Sequence, residues 1–397
     1  MKPLTVAMVA ACPFPANHGT PAAIREMSET LSQLGHQVHV VTYPLKDDIP
    51  TNGVTIHRVR RLGKKQQIVV GPTYQRLGFD ALMIPKLCRV IRTYKVDVIH
   101  AHNYEGALVG YGAKKVTGTP MVYNAINTMI NELPLYGFIR PQSMAILLAH
   151  FLDRVVPRMA DFIIADTEEL MAFIIEKGIP PEGIQVVHSG VNIEMFEKGD
   201  RKEIRKRYQI GTNPLVIYTG TLDPFQGIDS LLEAFKIVHD KFPDAVLMIL
   251  GSTVHPHHEE KYRGMAKEMG LEEKVIFTLC SLEVLPDFLA AADVAVLPRL
   301  SSPGIPTKLL NYRAAGKPIV SFEGSGKGLQ HMVDALVIKS DDREEFGRAI
   351  NRLLSDPSLA QHLGENAKKE IKGKYDWQTI AQKIEKVYFS VLGKKGK

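Results

Sequence analysis

The chain has 397 residues, with 49 Lys and Arg against 43 Asp and Glu, a formal net charge of +6 and a pI near 9.0. That length predicts two domains at roughly 100–200 residues each, and 45% hydrophobic with 23% charged residues suits a soluble chain with material for two cores. Three scattered cysteines, Cys12, Cys88 and Cys280, without a C-x-x-C pair, speak against a zinc site or disulfide framework and for a reducing cytoplasm. The basic balance favours anionic partners such as nucleotides, phosphates or an anionic membrane surface. No basic stripe interleaved with aromatics supports nucleic acid.

Residues 4–11 form an apolar run between Lys2 and Cys12. One lysine and so short a run fit a first buried strand better than a secretory or lipoprotein signal. No apolar run approaches the ~20 residues that span a bilayer. Strands are next expected over 38–42, 96–100, 121–123 and 162–165, separated by helical patterns. The first helix, 21–34, sets Ile24, Met27, Leu31 and Leu34 on one face, with Thr20 as its cap and Gly35 as its stop. Residues 143–160 are apolar nearly all round, which favours a helix buried against the first sheet over a membrane-facing or acceptor-facing surface. Arg60-Arg61 and Lys64-Lys65 read equally as a solvated loop or as an attraction to anionic lipid.

The polar stretch 197–207 then separates a second series of strands, 215–219, 245–250, 275–277, 294–297 and 319–321, with helices at 230–241 and 345–354. Nearly all-apolar strands alternating with helices imply parallel sheets covered on both faces. The chain therefore reads as α/β, with an N-terminal Rossmann-like half over 1–195 and a C-terminal Rossmann-like half over 196–375. The last helix, 376–392, is expected to pack back on the first half, and 393–397 to fray.

Four segments carry residues suited to chemistry. Residues 13–20 follow the first strand and enter a helix, so backbone amides and Gly19 suit an anion, although G-x-G-x-x-G is absent. Residues 97–103 end a buried strand and aim His102 and Asn103 at the cleft. Residues 220–229 put two glycines around a turn before a helix. Residues 297–318 run strand, Pro/Gly loop, helix, strand; Thr307 caps that helix, Gly304 and the amides near Thr307 and Lys308 form an anion-binding end, and Arg299, Lys308 and Arg313 concentrate positive charge there. The run from His255 to Glu260 matches no metal-ligand spacing and reads as a solvated loop. Residues 324–328 lack P-loop spacing and read as a turn.

Five stretches, in order over most of the chain, resemble the family 4 retaining glycosyltransferases (glycosyl transferase group 1) of the fold called GT-B: two Rossmann-like doubly wound parallel-sheet domains facing across a cleft, the first expected to bind the acceptor and the second the nucleotide sugar. They are residues 13–20 with the helix ending at Gly35-His36-Gln37-Val38, then 97–102, then His188-Ser189-Gly190-Val191-Asn192 with Phe196, then Tyr218-Thr219-Gly220 with Gly227-Ile228-Asp229, and last 309–318. The resemblance implies transfer of a sugar from a nucleotide-diphospho-sugar to a lipid-linked or polysaccharide acceptor, with retention, without a metal and with no cofactor beyond the donor. It implies a cytoplasmic protein of cell-envelope polysaccharide synthesis, with peripheral contact to an anionic membrane at its inner face.

The family's usual arginine and lysine at the diphosphate correspond here to Thr221 and Gln226, its paired glutamates to Pro303 and Asn311, and its histidine after the strand 121–123 to Ile126, beside Asn124 and Asn127. Donor-side candidates are then Gly19, Thr221, Gln226, Arg299, Gly304, Thr307, Lys308 and Asn311; His18 and Asn103 lie on the acceptor side; His102 and Asn127 are the candidates for catalysis. Lys308 and Arg299 are expected to replace the two missing cations. A second reading, a catalytically degenerate GT-B protein that binds a nucleotide sugar or a partner enzyme, follows from the same replacements. A sugar epimerase or phosphorylase of two Rossmann folds fits the acceptor-side and linker motifs poorly.

Overall fold

The computed structural model describes residues 2–16, 19–44, 49–61, 74–134, 139–251, 256–302 and 304–394. His18, Pro303, Lys64 and Lys65 lie outside the described residues. The chain forms two compact units, residues 1–190 with 377–397 and residues 191–376. Their junction falls five residues before the 195/196 boundary expected from the sequence.

The first unit is built on a seven-stranded parallel sheet of β1 (Thr5–Ala10), β2 (Gln37–Thr42), β3 (Val54–Arg58), β4 (Val98–His102), β5 (Met121–Ala125), β6 (Phe162–Ala165) and β7 (Ile184–Val186), in the order β3-β2-β1-β4-β5-β6-β7. Alternate β1 side chains go to opposite faces. Ala7 and Val9 enter one core, Val6, Met8 and Ala10 the other, as a strand buried on both sides requires. The final helix, Trp377–Lys394, seals the second of these cores with Trp377, Ile380, Ala381, Ile384, Val387, Tyr388 and Val391. That spacing puts one stripe of a helix on the sheet.

The second unit repeats the plan with six parallel strands. They are β8 (Leu215–Gly220), β9 (Val246–Gly251), β10 (Val275–Leu279), β11 (Val294–Leu297), β12 (Ile319–Phe322) and β13 (Leu336–Ile338), ordered β10-β9-β8-β11-β12-β13. Val216 and Tyr218 face one core, Leu215 and Ile217 the other. In each unit the strand order reverses once, at β1/β4 and at β8/β11. Ligands of doubly wound sheets bind outside the carboxyl ends of strands at such a reversal.

Several expectations need correction. Strands β3 and β7 lack a strong apolar run and go unseen in the sequence, and β13, a three-residue apolar strand, was missed as well. The first helix spans Gly19–Gln33, so Thr20 sits in its first turn and is not its cap; Gly35, at φ 95°, does stop it. Residues from Pro256 open a helix to Glu268 instead of a solvated loop. Among the described residues no group of His, Cys, Asp and Glu could hold a metal ion. The helix expected to be buried, Gln142–Val155, buries Ala145, Ala149 and Asp153, packs a partly buried Leu152 against the core, and leaves Met144, Ile146, Leu147, Leu148 and Phe151 exposed. Alanine is small enough to seat a helix closely, and most of the large side chains of this one lie on the other side. No helix among the described residues is long and apolar enough to cross a membrane.

Candidate functional site

In the second unit, the loop after β8 and the loop after β11 flank the reversal point. The first turns through Pro224–Gln226 and enters the helix Ile228–Lys241 at Gly227. Gly227 has φ 74°, and a Cβ there would lie 2.3 Å from the Pro298 carbonyl oxygen. Only glycine lets the two loops meet this closely. The second loop runs to the helix Thr307–Ala314, and Ser325 supports it by donating from its hydroxyl to the Arg299 carbonyl.

One face of that helix aims at the end of β8. Lys308, Asn311 and Tyr312 share it at i, i+3, i+4 spacing. The buried Tyr312 hydroxyl accepts the Thr219 amide at 2.9 Å and bonds the Thr219 hydroxyl at 3.1 Å. The Lys308 ammonium donates to Tyr218 Oη at 2.8 Å and to Gln226 Oε1 at 2.9 Å. Gln226 in turn donates from Nε2 to the Thr221 hydroxyl at 3.2 Å, and Tyr218 Oη donates to the Thr221 carbonyl at 2.8 Å. Gly220, at φ 137°, makes room for the ammonium, since a Cβ there would stand 2.5 Å from Lys308 Nζ. Thus Lys308, Gln226, Thr221 and Gly220 form one connected group. Tyr218 holds it together and Tyr312 ties the helix to the neighbouring Thr219; neither was among the expected site residues. A tyrosine interrupting an aliphatic strand or a packed helix face is the sequence signal that points to them.

Both hydrogen-bond acceptors of Lys308 are neutral oxygens, and the carboxylate that acts on it, Asp223, does so without a hydrogen bond. Desolvation pushes its pKa well below the usual lysine value; the nearby Arg299 adds to the depression and Asp223 opposes it. Arg299 lies with its guanidinium 4.8 Å from the Phe225 ring centroid, on the same loop pair. Gly304 and Thr307 are half-buried just before Lys308. Asn311 is buried one turn further along.

Two expectations about this helix change. Thr307 is its first residue and not its cap: Pro306 holds the cap position, without a side-chain hydrogen bond. Arg313 is not part of the cationic end. It is 2% exposed and ion-paired to the equally buried Asp334, and it also donates to the Gly328 carbonyl. Five residues beyond Lys308, its side chain leaves the helix on another face, so it serves the core.

At the corresponding reversal of the first unit, Gly19 opens the helix after β1 at φ 44° with open space where a Cβ would be. Across it, β4 ends at His102, and Asn103 adopts the left-handed φ of 61°, a conformation asparagine tolerates better than most residues. The Asn103 side-chain oxygen is buried without a partner, as is that of Asn127 in the bend after β5. His102 does not project from the strand end as expected. It is 1% exposed, its ring stacks on His100 at 4.4 Å, and its Nδ1 lies 3.3 Å from the Asn124 side-chain amide. Being two residues apart on a strand, His100 and His102 face the same way, toward the C-terminal helix, where His100 Nδ1 meets Tyr388 Oη at 2.6 Å. Burial drops the His102 pKa to about 3, so it is neutral at ordinary pH.

Comparison with known proteins agrees with this architecture. The description "Glycosyl transferase 4-like domain" matches residues 18–190, and "Glycosyl transferases group 1" matches residues 200–370. An uncharacterised glycosyltransferase of Methanocaldococcus jannaschii is 26% identical over 373 residues, covering 91% of this chain and 92% of that protein. A D-inositol 3-phosphate glycosyltransferase of Thermobispora bispora is 25% identical over 393 residues, covering 93% and 89%. Among solved structures, sucrose-phosphate synthase of Thermosynechococcus elongatus superposes with a TM-score of 0.78 at 19% identity over 98% of this chain and 99% of that one. The Anabaena protein HepE in complex with UDP-glucose superposes with a TM-score of 0.76 at 17% identity over 98% and 100%. The fold is that of the GT-B glycosyltransferases. The chain belongs to the group 1 glycosyl transferases.

Proposed function

We propose that the chain transfers a sugar from a nucleotide-diphospho-sugar to a lipid-linked or polysaccharide acceptor, with retention and without a metal or further cofactor, in cell-envelope polysaccharide synthesis in the cytoplasm. The observation that carries this reading is the Lys308 ammonium, fixed against the loop after β8 by Tyr218 and Gln226 and matched by no carboxylate among its hydrogen-bond partners. Thr221 and Gln226 stand where relatives of this group usually carry cations. Lys308, arriving from the facing helix, delivers a cation to that same loop.

Breaking the bond between the sugar's anomeric carbon and the diphosphate leaves negative charge on the phosphate oxygens. A fixed ammonium and the amides at the start of the helix Thr307–Ala314 stabilise that charge without reorganising. Arg299 adds a second positive charge, Gly304 lets the backbone come close, and Asn311 hydrogen-bonds the ribose hydroxyls. In the first unit, Gly19 lies on the donor side and Asn103 on the acceptor side, and Asn127 orients the acceptor hydroxyl. That oxygen forms the new bond on the face the leaving group vacates, and its proton passes to the departing phosphate. His102, buried and neutral, is a positioning residue that holds Asn124 at the end of β5.

The test is incubation with a panel of nucleotide sugars, UDP-glucose first because HepE is solved with that molecule, scored by release of free nucleotide. Slow release without acceptor, accelerated by the right acceptor, is expected. The replacement of one family glutamate by Asn311 favours the second reading, a degenerate protein that binds a nucleotide sugar or a partner enzyme. It predicts thermal stabilisation by nucleotide, about 2.7 kcal/mol at a hundredfold excess over Kd, with no release from any donor.

A further inference from the structure

The loops after β4 and β5 leave the first sheet side by side, since these strands pair in parallel with His102 opposite Asn124. Each loop carries an asparagine whose side-chain oxygen is buried without a partner, Asn103 on one and Asn127 on the other. Neither loop holds itself in place. Asn103 sits at the left-handed φ of 61°. Asn127 precedes a helix of four residues, Met129–Glu132, whose cap residue, Thr128, makes no side-chain cap bond. One turn of helix is too short to persist without outside support.

The support comes from one carboxylate on another element. Asp153, in the last turn of the helix Gln142–Val155, is 1% exposed. Its Oδ1 accepts the Met129 amide at 2.8 Å and the Tyr104 hydroxyl, and its Oδ2 accepts the Ile130 amide at 3.1 Å. Met129 and Ile130 open the short helix, so Asp153 supplies the cap that Thr128 does not. Tyr104 follows Asn103 directly. One side chain is thus tied to the neighbour of Asn103 and to the second residue after Asn127. All three donors are neutral, and a carboxylate buried among neutral groups is costly unless its bonds are made. Seating the helix does not require that carboxylate, because Ala145 and Ala149 already pack the same face. We infer that Asp153 is a positioning residue for the acceptor: by tying both loops to one point it fixes Asn103 and Asn127 relative to each other, so that their side-chain oxygens meet the same acceptor. The coupling of the loops rests on the hydrogen bonds alone, and its bearing on an acceptor rests on the transfer reading.

The experiment compares the full chain with Asp153→Asn in two measurements. The amide keeps the shape of the carboxylate but, with its oxygen toward Met129 and Tyr104, sets an N–H donor against the Ile130 amide. Amide exchange should quicken in both loops, over residues 103–106 and 127–132, while β4 and β5 keep their protection. With UDP-glucose as donor and octyl β-glucoside as acceptor probe, kcat/KM for the acceptor should fall about tenfold or more, while KM for UDP-glucose and nucleotide release without acceptor stay within about twofold. Tyr104→Phe removes only the tie to the Asn103 loop; it should show the same split at smaller size, and it serves should Asp153→Asn fold poorly. Quicker exchange over 127–132 alone would overturn the inference. So would an equal fall in the donor and acceptor constants, the result expected of a residue that merely stabilises the unit. Absence of nucleotide release from the unaltered chain with every donor counts against the transfer reaction, and the exchange data still decide whether Asp153 couples the loops.

Discussion

Lys308 is the residue on which the donor reading turns. Its amine is desolvated and bonded to the neutral Tyr218 and Gln226 oxygens, so a bound diphosphate adds a counter-charge that favours its ammonium form. Lys308→Ala should weaken nucleotide-diphosphate binding by about 1.5–3 kcal/mol, the range for a charge-assisted hydrogen bond; calorimetry showing unchanged affinity would sink the assignment. Gly220→Ala reaches the same group from the other side. The added Cβ meets Lys308 Nζ at 2.5 Å and sits at φ 137°, so nucleotide affinity should fall while the affinity of a bare nucleoside changes little. At this scale the sequence was half legible. Lys308, Gln226 and Thr221 are visible as chemistry-bearing residues, but their joining into one group depends on Tyr218 and on Gly220 being short of a side chain. Neither fact is readable from residue types along the chain. Arg313 misleads for the same reason: its partner, Asp334, lies 21 residues away.

Elements carry two further consequences. The helix Thr307–Ala314 is locked at its far end by the buried Arg313–Asp334 pair. Asp334→Ala leaves a buried guanidinium without its counter-charge and should cost about 3–5 kcal/mol, read as a shift of the urea midpoint at unchanged slope. Strand β4 is acid-sensitive. His100 and His102 are buried and stacked, and burial lowers both pKa values, that of His102 to about 3. A histidine whose folded pKa lies below its unfolded value of about 6.5 stabilises the fold above that pH and loses the contribution as pH falls toward the folded pKa. For His102 the loss should reach about 2 kcal/mol at pH 5. Denaturant titrations at pH 7 and pH 5 test this, and His102→Gln should remove part of the pH dependence even if it lowers stability at pH 7. The aliphatic run of β4 was legible as a strand; the direction its histidines face was not, because the face is set by the helix that arrives nearly three hundred residues later.

For the whole molecule, the consequential feature is that the chain returns to its first unit at the end. Trp377 to Val391 contributes seven buried side chains to the core behind β1 and β4, and Tyr388 completes the hydrogen bond of His100. The periodicity of this segment predicted a packed helix, and its two-unit plan was legible from strand runs that restart after residue 197. The short strands β3, β7 and β13 were not: β3 and β7 are part polar and β13 is only three residues long, so each gains its identity from neighbours in the sheet and not from its own pattern. Ending the chain at Asp376 strips one face of the first sheet while leaving every strand in place. Large apolar area then meets water, and a deletion of residues 377–397 should unfold the first unit selectively. Amide exchange should show β1, β2 and β4 losing protection while β8, β9 and β11, whose cores contain no residue beyond Asp376, keep theirs. The nucleotide affinity proposed for Lys308 should survive the deletion as long as the second unit stays folded. Loss of protection spread evenly over both sheets would show instead that the two units fold as one.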